Sequence, residues 1–309
     1  MQAETPATTL LGTLPATFTP AELDALPPAD VARRAETVGV AKARMPALDV
    51  FVLAVLAGAF IALGAIFATT VSTGGGALPF GVVRLLAGLT FSLGLILVVV
   101  AGAELFTGNN LIVMAWASRH VSSARLLGNW TIVWIGNFVG AIGTAIIVYF
   151  SEQYTFGDGA VGQTALSIAT AKTSLGFVEA VALGMLCNAL VCLAVWLTYG
   201  AHTTTDKILA VIAPIGAFVA AGFEHSVANM YFISIGLLIK TDDAFVASLD
   251  PAPDLSGLTW RSFFADNLLP VTIGNVVGGA VMVGAVYWIV YLRPRALDPA
   301  AETGANSTR

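Results

Sequence analysis

The chain is 309 residues long, 57% hydrophobic and only 11% charged, with a mean hydropathy of +0.84, against about 25% charged residues in ordinary soluble domains. That supply of polar groups cannot cover a water-facing surface, so the apolar excess faces lipid. The net charge of −5 gives no basic footprint for nucleic acid, and the two cysteines, Cys187 and Cys192, share one apolar run as buried filler, without the pattern of a disulfide, zinc site or redox motif.

Residues 1–20 hold an apolar patch around Leu10 and Leu14 but no basic start, so no cleaved signal peptide is expected. A Pro-rich, disordered arm is expected over 1–27. Over 28–46, Val31, Ala35, Val38 and Ala41 fall on one helical face with Arg33 and Arg34 off it, the pattern of an amphipathic helix lying on a membrane surface. A transmembrane domain over 47–293 and a tail over 294–309 complete the chain.

Four stretches free of Asp, Glu, Lys and Arg are long enough to cross a bilayer: 50–70, 126–151, 180–205 and 267–292. Two further regions are interrupted. Residues 85–103 meet Glu104 and continue apolar to 118; residues 208–223 meet Glu224 and His225 and continue to 239. As one straight helix the first would extend about 51 Å, well beyond a hydrocarbon core of about 30 Å. A helix broken near its middle, with the irregular backbone buried in protein, accounts for both.

Six crossings put both termini on one side. Arg33, Arg34, Lys42, Arg44, Arg119, Arg125, Lys207, Arg293 and Arg295 lie on that side, whereas the other carries only Arg84, Lys172, Lys240 and Arg261. The excess of positive charge makes the termini cytoplasmic.

The interrupted spans match one another. Gly102-Ala-Glu104-Leu-Phe-Thr-Gly-Asn109 and Gly222-Phe-Glu224-His-Ser-Val-Ala-Asn229 both read G-x-E-x-x-x-small-N. The spans that follow match too, through Asn129 and Asn137 in one and Asn267 and Asn275 in the other; only weak similarity joins the first and fourth spans. Each repeat holds three crossings, an odd number, so the halves are inverted and the functional site lies near the midplane where the breaks meet. Gly136/Gly140 and Gly274/Gly278 read as faces of close helix packing.

Glu104 and Glu224 sit where charge is costly. Their structural reading comes first: a helix break frees backbone N–H groups, and a carboxylate accepts them at the positive helix end. A substrate role is compatible with it. His225 is the histidine deep in an apolar span, and an ordinary imidazole titrates in the physiological range; the rival reading is a neutral ring tying down the broken backbone. Phe91 and Phe218, on pattern alone, are lipid-facing or core aromatics.

These two signatures, with Phe91-Ser-Leu-Gly-Leu-Ile-Leu97 and Pro270-Val-Thr-Ile-Gly-Asn275, resemble those of the formate/nitrite transporters, most of all bacterial formate channels, over about 38–292. The resemblance implies an all-α, six-transmembrane-helix, aquaporin-like protomer, built as an inverted three-helix repeat with two broken helices. It further implies a homopentamer in the cytoplasmic membrane of a prokaryote, with one pore per protomer. It places Phe91 and Phe218 at an outer constriction and Leu95, Leu105, Phe106 and Val191 at an inner one. Thr107 and Asn188 fall near the central His225, Asn275 is a polar pore residue at the other break, and Lys172 is a vestibule lysine that attracts anions. Formate, a small monovalent anion, is the implied substrate, with passage aided by hydrogen bonding or proton donation from His225.

Glu104 stands where formate channels often carry Asp, so nitrite, hydrosulfide and lactate transport remain open within the family. A neutral-solute pore of the aquaporin type is another reading, although the chain has no Asn-Pro-Ala pair. A membrane enzyme built on Glu224 and His225 would lack a nucleophile, metal cluster or cofactor motif, and no cofactor is expected. The N-terminal helix is suited to gating the pore or docking a cytoplasmic enzyme, and the sequence does not distinguish these.

Overall fold

The computed structural model describes residues 24–293, so most of the expected disordered arm and all of the expected tail lie outside the described residues. A short helix α1 (Pro28–Arg44) leads into α2 (Ala47–Ser72) and α3 (Phe80–Ala101). After a break, α4 (Phe106–Asn109) turns through Asn110–Ile112 into α5 (Val113–Ala117), and α6 (Ser123–Phe150) returns across. The second half runs α7 (Ala160–Thr173), α8 (Phe177–Gly200) and α9 (Thr204–Ala221), then a break, α10 (Ser226–Ile239), a short α11 (Asp243–Ser248) and α12 (Ser262–Leu292). Within α12 the winding is of the looser π type over Ser262–Leu268 and Val277–Ala285.

Six of these helices (α2, α3, α6, α8, α9 and α12) are long and apolar enough to cross a membrane. Large apolar side chains such as Leu48, Phe67, Leu85, Ile147, Phe150 and Val178 stand exposed on them. In water such a surface would be a liability; against lipid tails it is the expected coat. Helix starts follow local chemistry. Pro27, Pro46 and Pro79 precede α1, α2 and α3, where φ is already fixed and no N–H is missed. The hydroxyl of Thr203 takes the N–H of Asp206 while the Asp206 carboxylate takes that of Thr203 (3.1 and 2.9 Å), opening α9.

The packing repeats. α2 packs on α3 and α6, and α8 packs on α9 and α12 in the same way. A Cβ placed on Gly140 would run into the carbonyl oxygen of Val55, and one on Gly278 into that of Met185. Those glycines therefore let backbone approach backbone, as their spacing predicts.

Two boundaries differ from the sequence expectation. The span expected over 180–205 is the helix Phe177–Gly200, because Thr203 caps a new helix at once. The connection around Lys172 is a 14-residue helix, α7, which follows Gly159 in the left-handed region (φ +85°). It is the counterpart of α1: Lys42 near the end of α1 and Lys172 near the end of α7 make the same contacts, described below. Each half is thus a four-element unit, a short helix followed by three crossings, the middle one broken.

Candidate functional site

Both breaks start with a glycine at positive φ, Gly102 at +82° and Gly222 at +79°, a conformation that any Cβ disfavours. The chain then runs extended for three residues and re-enters a helix at Phe106 or Ser226. Such a break strands backbone groups in a membrane interior where no water can take them.

The sequence reading gave that work to Glu104 and Glu224, and the structure corrects it. Two asparagines do it. Asn137 on α6 accepts the N–H of Phe106 (2.9 Å) and donates to the carbonyls of Glu104 (2.9 Å) and Ala54 (2.7 Å). Asn275 on α12 accepts the N–H of Ser226 (2.9 Å) and donates to the carbonyls of Glu224 (2.9 Å) and Gly184 (2.8 Å). An amide carries one acceptor oxygen and two donor hydrogens, which suits this triple task; an ionised carboxylate only accepts. Asn275, expected to face the pore, has both hydrogens and its oxygen engaged in this clamp and is fully buried.

The carboxylates face the short helices instead. Glu104 accepts from Lys42 (2.5 Å) and Asn109 (2.7 Å), and Asn109 also donates to Asn129 (2.9 Å), which donates to the carbonyl of Lys42 (3.3 Å). Glu224 accepts from Lys172 (2.7 Å) and Asn229 (2.6 Å), Asn229 donates to Asn267 (2.8 Å), and Asn267 donates to the carbonyl of Lys172 (2.8 Å). Buried charge is tolerated when paired and hydrogen-bonded, and each closed ring meets that condition. Lys172 also lies 5.4 Å over the ring of Phe232. It is bound to a carboxylate, a partner that the expectation of a vestibule lysine attracting anions did not include.

A cavity of about 310 Å³ opens at the end of the molecule away from α1 and is lined by Arg84, Phe91, Lys172, Phe218, Glu224 and His225 among others. Phe91 and Phe218, both buried, meet edge to face with ring centroids 5.6 Å apart, and Phe218 stacks on His225 at 5.9 Å. They are neither lipid-facing nor merely core.

Beyond them, Nδ1 of His225 accepts the N–H of Ala228 (3.1 Å), capping α10. An accepting Nδ1 puts the proton of a neutral ring on Nε2, which lies 2.9 Å from Thr107 Oγ1. The Thr107 hydroxyl, accepting from His225, keeps its own proton to offer. Thr107 and His225 come from opposite breaks, and the pair joins the two halves. Leu95, Leu105, Phe106 and Val191 lie in the same buried apolar cluster as Phe91 and Phe218.

Asn188 is fully buried and ties the halves from behind, donating to Asn110 Oδ1 (2.9 Å) and to the carbonyls of Asn275 (2.7 Å) and Thr107 (3.3 Å). It touches the backbone of Thr107, whose hydroxyl meets His225. Cys192 approaches the same Thr107 carbonyl at 3.3 Å. Sequence reasoning missed the roles of Asn137 and Lys42, although both clamp asparagines stood in the matched repeat.

A sequence model described as formate/nitrite transporter matches residues 29–289. The chain is similar to the formate channel FocA of Escherichia coli strain K12, with 45% identity over 273 residues, 87% of this chain and 96% of that protein. It is also similar to the formate channel FocA of Haemophilus influenzae, with 40% identity over 84% of this chain and 93% of that one. Among solved structures, a pentameric formate channel with formate bound superposes with a TM-score of 0.75 at 43% identity, covering 80% of this chain and 98% of that one. Matched residues, identity and fold agree: the chain belongs to the formate/nitrite transporter family.

Proposed function

We propose that this protein conducts formate across the cytoplasmic membrane of a prokaryote, as a homopentamer with one pore in each protomer. The observation that carries the reading is the Thr107–His225 pair, a polar contact between the two breaks that lies behind paired phenylalanines at the floor of an open cavity. The similarity to proteins named formate channels supports the substrate. The excess of Lys and Arg at the α1 end supports cytoplasmic termini, with residues 47–293 as the conducting unit and α1 on the cytoplasmic face, where a gate or an enzyme partner would act.

On this reading the anion enters the cavity and meets Phe91 and Phe218, where stripping its water costs several kcal/mol. The Thr107 hydroxyl, oriented by His225 Nε2–H, offers a hydrogen bond to the carboxylate at that point of least hydration. Leu95, Leu105, Phe106 and Val191 form the inner constriction. In the stronger form of the same contact, a ring first protonated at Nδ1 passes its Nε2 proton to the Thr107 hydroxyl as that hydroxyl gives its own to formate, leaving transient formic acid and a neutral imidazole. Nothing in it needs a nucleophile or a cofactor, so the chain acts as a pore and not as an enzyme.

The test is uptake of labelled formate into proteoliposomes at about pH 5.5 and about pH 7.5, either side of the ordinary imidazole value, for the parent and His225→Phe. Uptake that is faster on the acid side and blunted by the substitution supports both substrate and histidine. Uptake of nitrite, lactate or hydrosulfide without formate moves the substrate within the family. Water flux with no anion flux would overturn the proposal.

A further inference from the structure

The cavity at the pore mouth is lined by two cations, and they differ. Lys172 is neutralised by Glu224 at 2.7 Å. Arg84, on the first turns of α3, has no carboxylate within ion-pair distance among the described residues. Its Nε donates to the carbonyl of Ala220 (3.1 Å) and its Nη2 to that of Val219, the last turn of α9 before the break. No described residue accepts from its Nη1. The carbonyl end of a helix carries roughly half a negative charge, so a guanidinium held there leaves a net positive charge of about half a unit facing the cavity.

Arg84 is also outside the duplicated scaffold. Every clamp and ring residue named above has a partner in the other half, whereas the position as far before Gly222 as Arg84 stands before Gly102 holds Thr204. Stabilising a break does not require an arginine, since the break after Gly102 forms without one. The hydroxyls nearby are no substitute as anion donors: Thr69 and Ser72 line the same cavity but donate to the carbonyls of Ala65 and Ala68 (2.9 and 2.8 Å).

We propose that Arg84 is the cation of the pore mouth that draws a monovalent carboxylate to the threshold of Phe91 and Phe218, while the Lys172–Glu224 pair serves the scaffold. The proposal rests on the anion-conducting reading above. A half-neutralised guanidinium at a low-dielectric mouth raises the local anion concentration, an effect that salt screens.

The experiment compares the parent, Arg84→Gln and Arg84→Lys in proteoliposomes, measuring the concentration dependence of formate uptake at low and high salt, with thermal unfolding in detergent as a control. In the parent, the half-saturating formate concentration rises with salt. In R84Q it is expected to be raised about tenfold at low salt, with the maximal rate retained and the salt dependence lost. R84K, which keeps the charge but cannot fork across two carbonyls, is expected to stay within about threefold of the parent. A purely structural cap predicts the reverse: both variants melt lower, and salt dependence persists. R84Q with parental half-saturation and salt response overturns the proposal while leaving formate conduction intact. R84K that folds yet behaves as R84Q overturns it too. A parent that carries no anion at all overturns this proposal together with the functional reading.

Discussion

The two inverted halves use one scaffold and divide the chemistry between them. At each break an asparagine clamps the chain, and a lysine–glutamate–asparagine–asparagine ring closes behind it: Asn137, Lys42, Glu104, Asn109 and Asn129 in one half; Asn275, Lys172, Glu224, Asn229 and Asn267 in the other. Where the halves meet at the breaks, they differ. Leu105 occupies the place of His225, Val227 that of Thr107, Val211 that of Phe91, and Val98 that of Phe218. Each break strands the same backbone groups, so each needs the same clamp. A pore that passes both breaks needs its polar contact only once, and a second polar contact would have to be satisfied in the membrane interior. One ring is also slightly incomplete: Lys42 reaches Asn109 Oδ1 at 3.1 Å, whereas Asn229 Oδ1 has no partner among the described residues.

The comparison breaks most visibly at the clamps. Asn137→Ala and Asn275→Ala each leave one donor and one acceptor of the break unsatisfied, at about 1–3 kcal/mol apiece, while the carbonyls of Ala54 and Gly184 keep their bonds within α2 and α8. Both variants are therefore expected to melt far below the parent, or to fail to assemble, and to similar degrees. Thermal unfolding in detergent measures this, and a tolerated substitution at either site would show that the clamps are not equivalent.

The charge rings come next. Lys172→Met alone strands a buried carboxylate and is expected to destabilise by about 3–5 kcal/mol, while adding Glu224→Gln restores most of the loss. Lys42→Met with Glu104→Gln should trace the same pattern, somewhat softened because Lys42 is the more exposed lysine (22% against 15%). If the second substitution brings no recovery, the ring is not what ties each carboxylate down.

Converting one half's pore residues into the other's sharpens the contrast. Thr107→Val is expected to lower formate uptake roughly 10- to 100-fold, the worth of a hydrogen bond to a charged group. His225→Leu, which removes the neutral bond that orients Thr107, should lower uptake by about fivefold. It should also shift unfolding by only about 1 kcal/mol, the value of the lost cap. Unchanged uptake in both would remove the pair from the pathway.

The smallest effect lies in the loops, where the halves also part. The second half's connection carries α11, capped by Asp242, whose carboxylate accepts from the N–H of Phe245 (3.0 Å) and the hydroxyl of Tyr154 (2.7 Å). These bonds, the backbone one first, hold the Asp242 carboxyl below its usual value, and the Tyr154 hydroxyl is pushed up to about 12, mainly by the bond to Asp242. A lowered folded value means that stabilisation is present above the ordinary carboxylate pKa of about 3.9 and lost as pH falls through the lowered value. Tyr154→Phe should move the acid loss of protection in 242–248 to slightly higher pH, read by hydrogen exchange; no movement would mean that the Phe245 bond alone sets it.

Much of this was legible in the sequence. Apolar run length marked the spans, and a glutamate within each of two over-long runs marked the breaks, because lipid excludes charge and limits helix length. The G-x-E motif and the paired asparagines exposed the repeat. Other features stayed hidden. The equivalence of α1 and α7 was not visible, since two short helices of different composition share only the position of one lysine. Phe91 and Phe218 were indistinguishable by pattern from any membrane aromatic.

What the sequence by itself determined, then, was the membrane, the number of crossings, the duplicated breaks and the family, all of which follow from local hydropathy and short motifs. The tertiary structure decided which side chain satisfies which stranded group: asparagines from α6 and α12 clamp the breaks, lysines from α1 and α7 neutralise the glutamates, and Thr107 meets His225 across the halves. The physical reason is that a buried polar atom is satisfied by whatever lies within about 3 Å of it, and in an inverted repeat that neighbour comes from a distant helix that no spacing along the chain reveals.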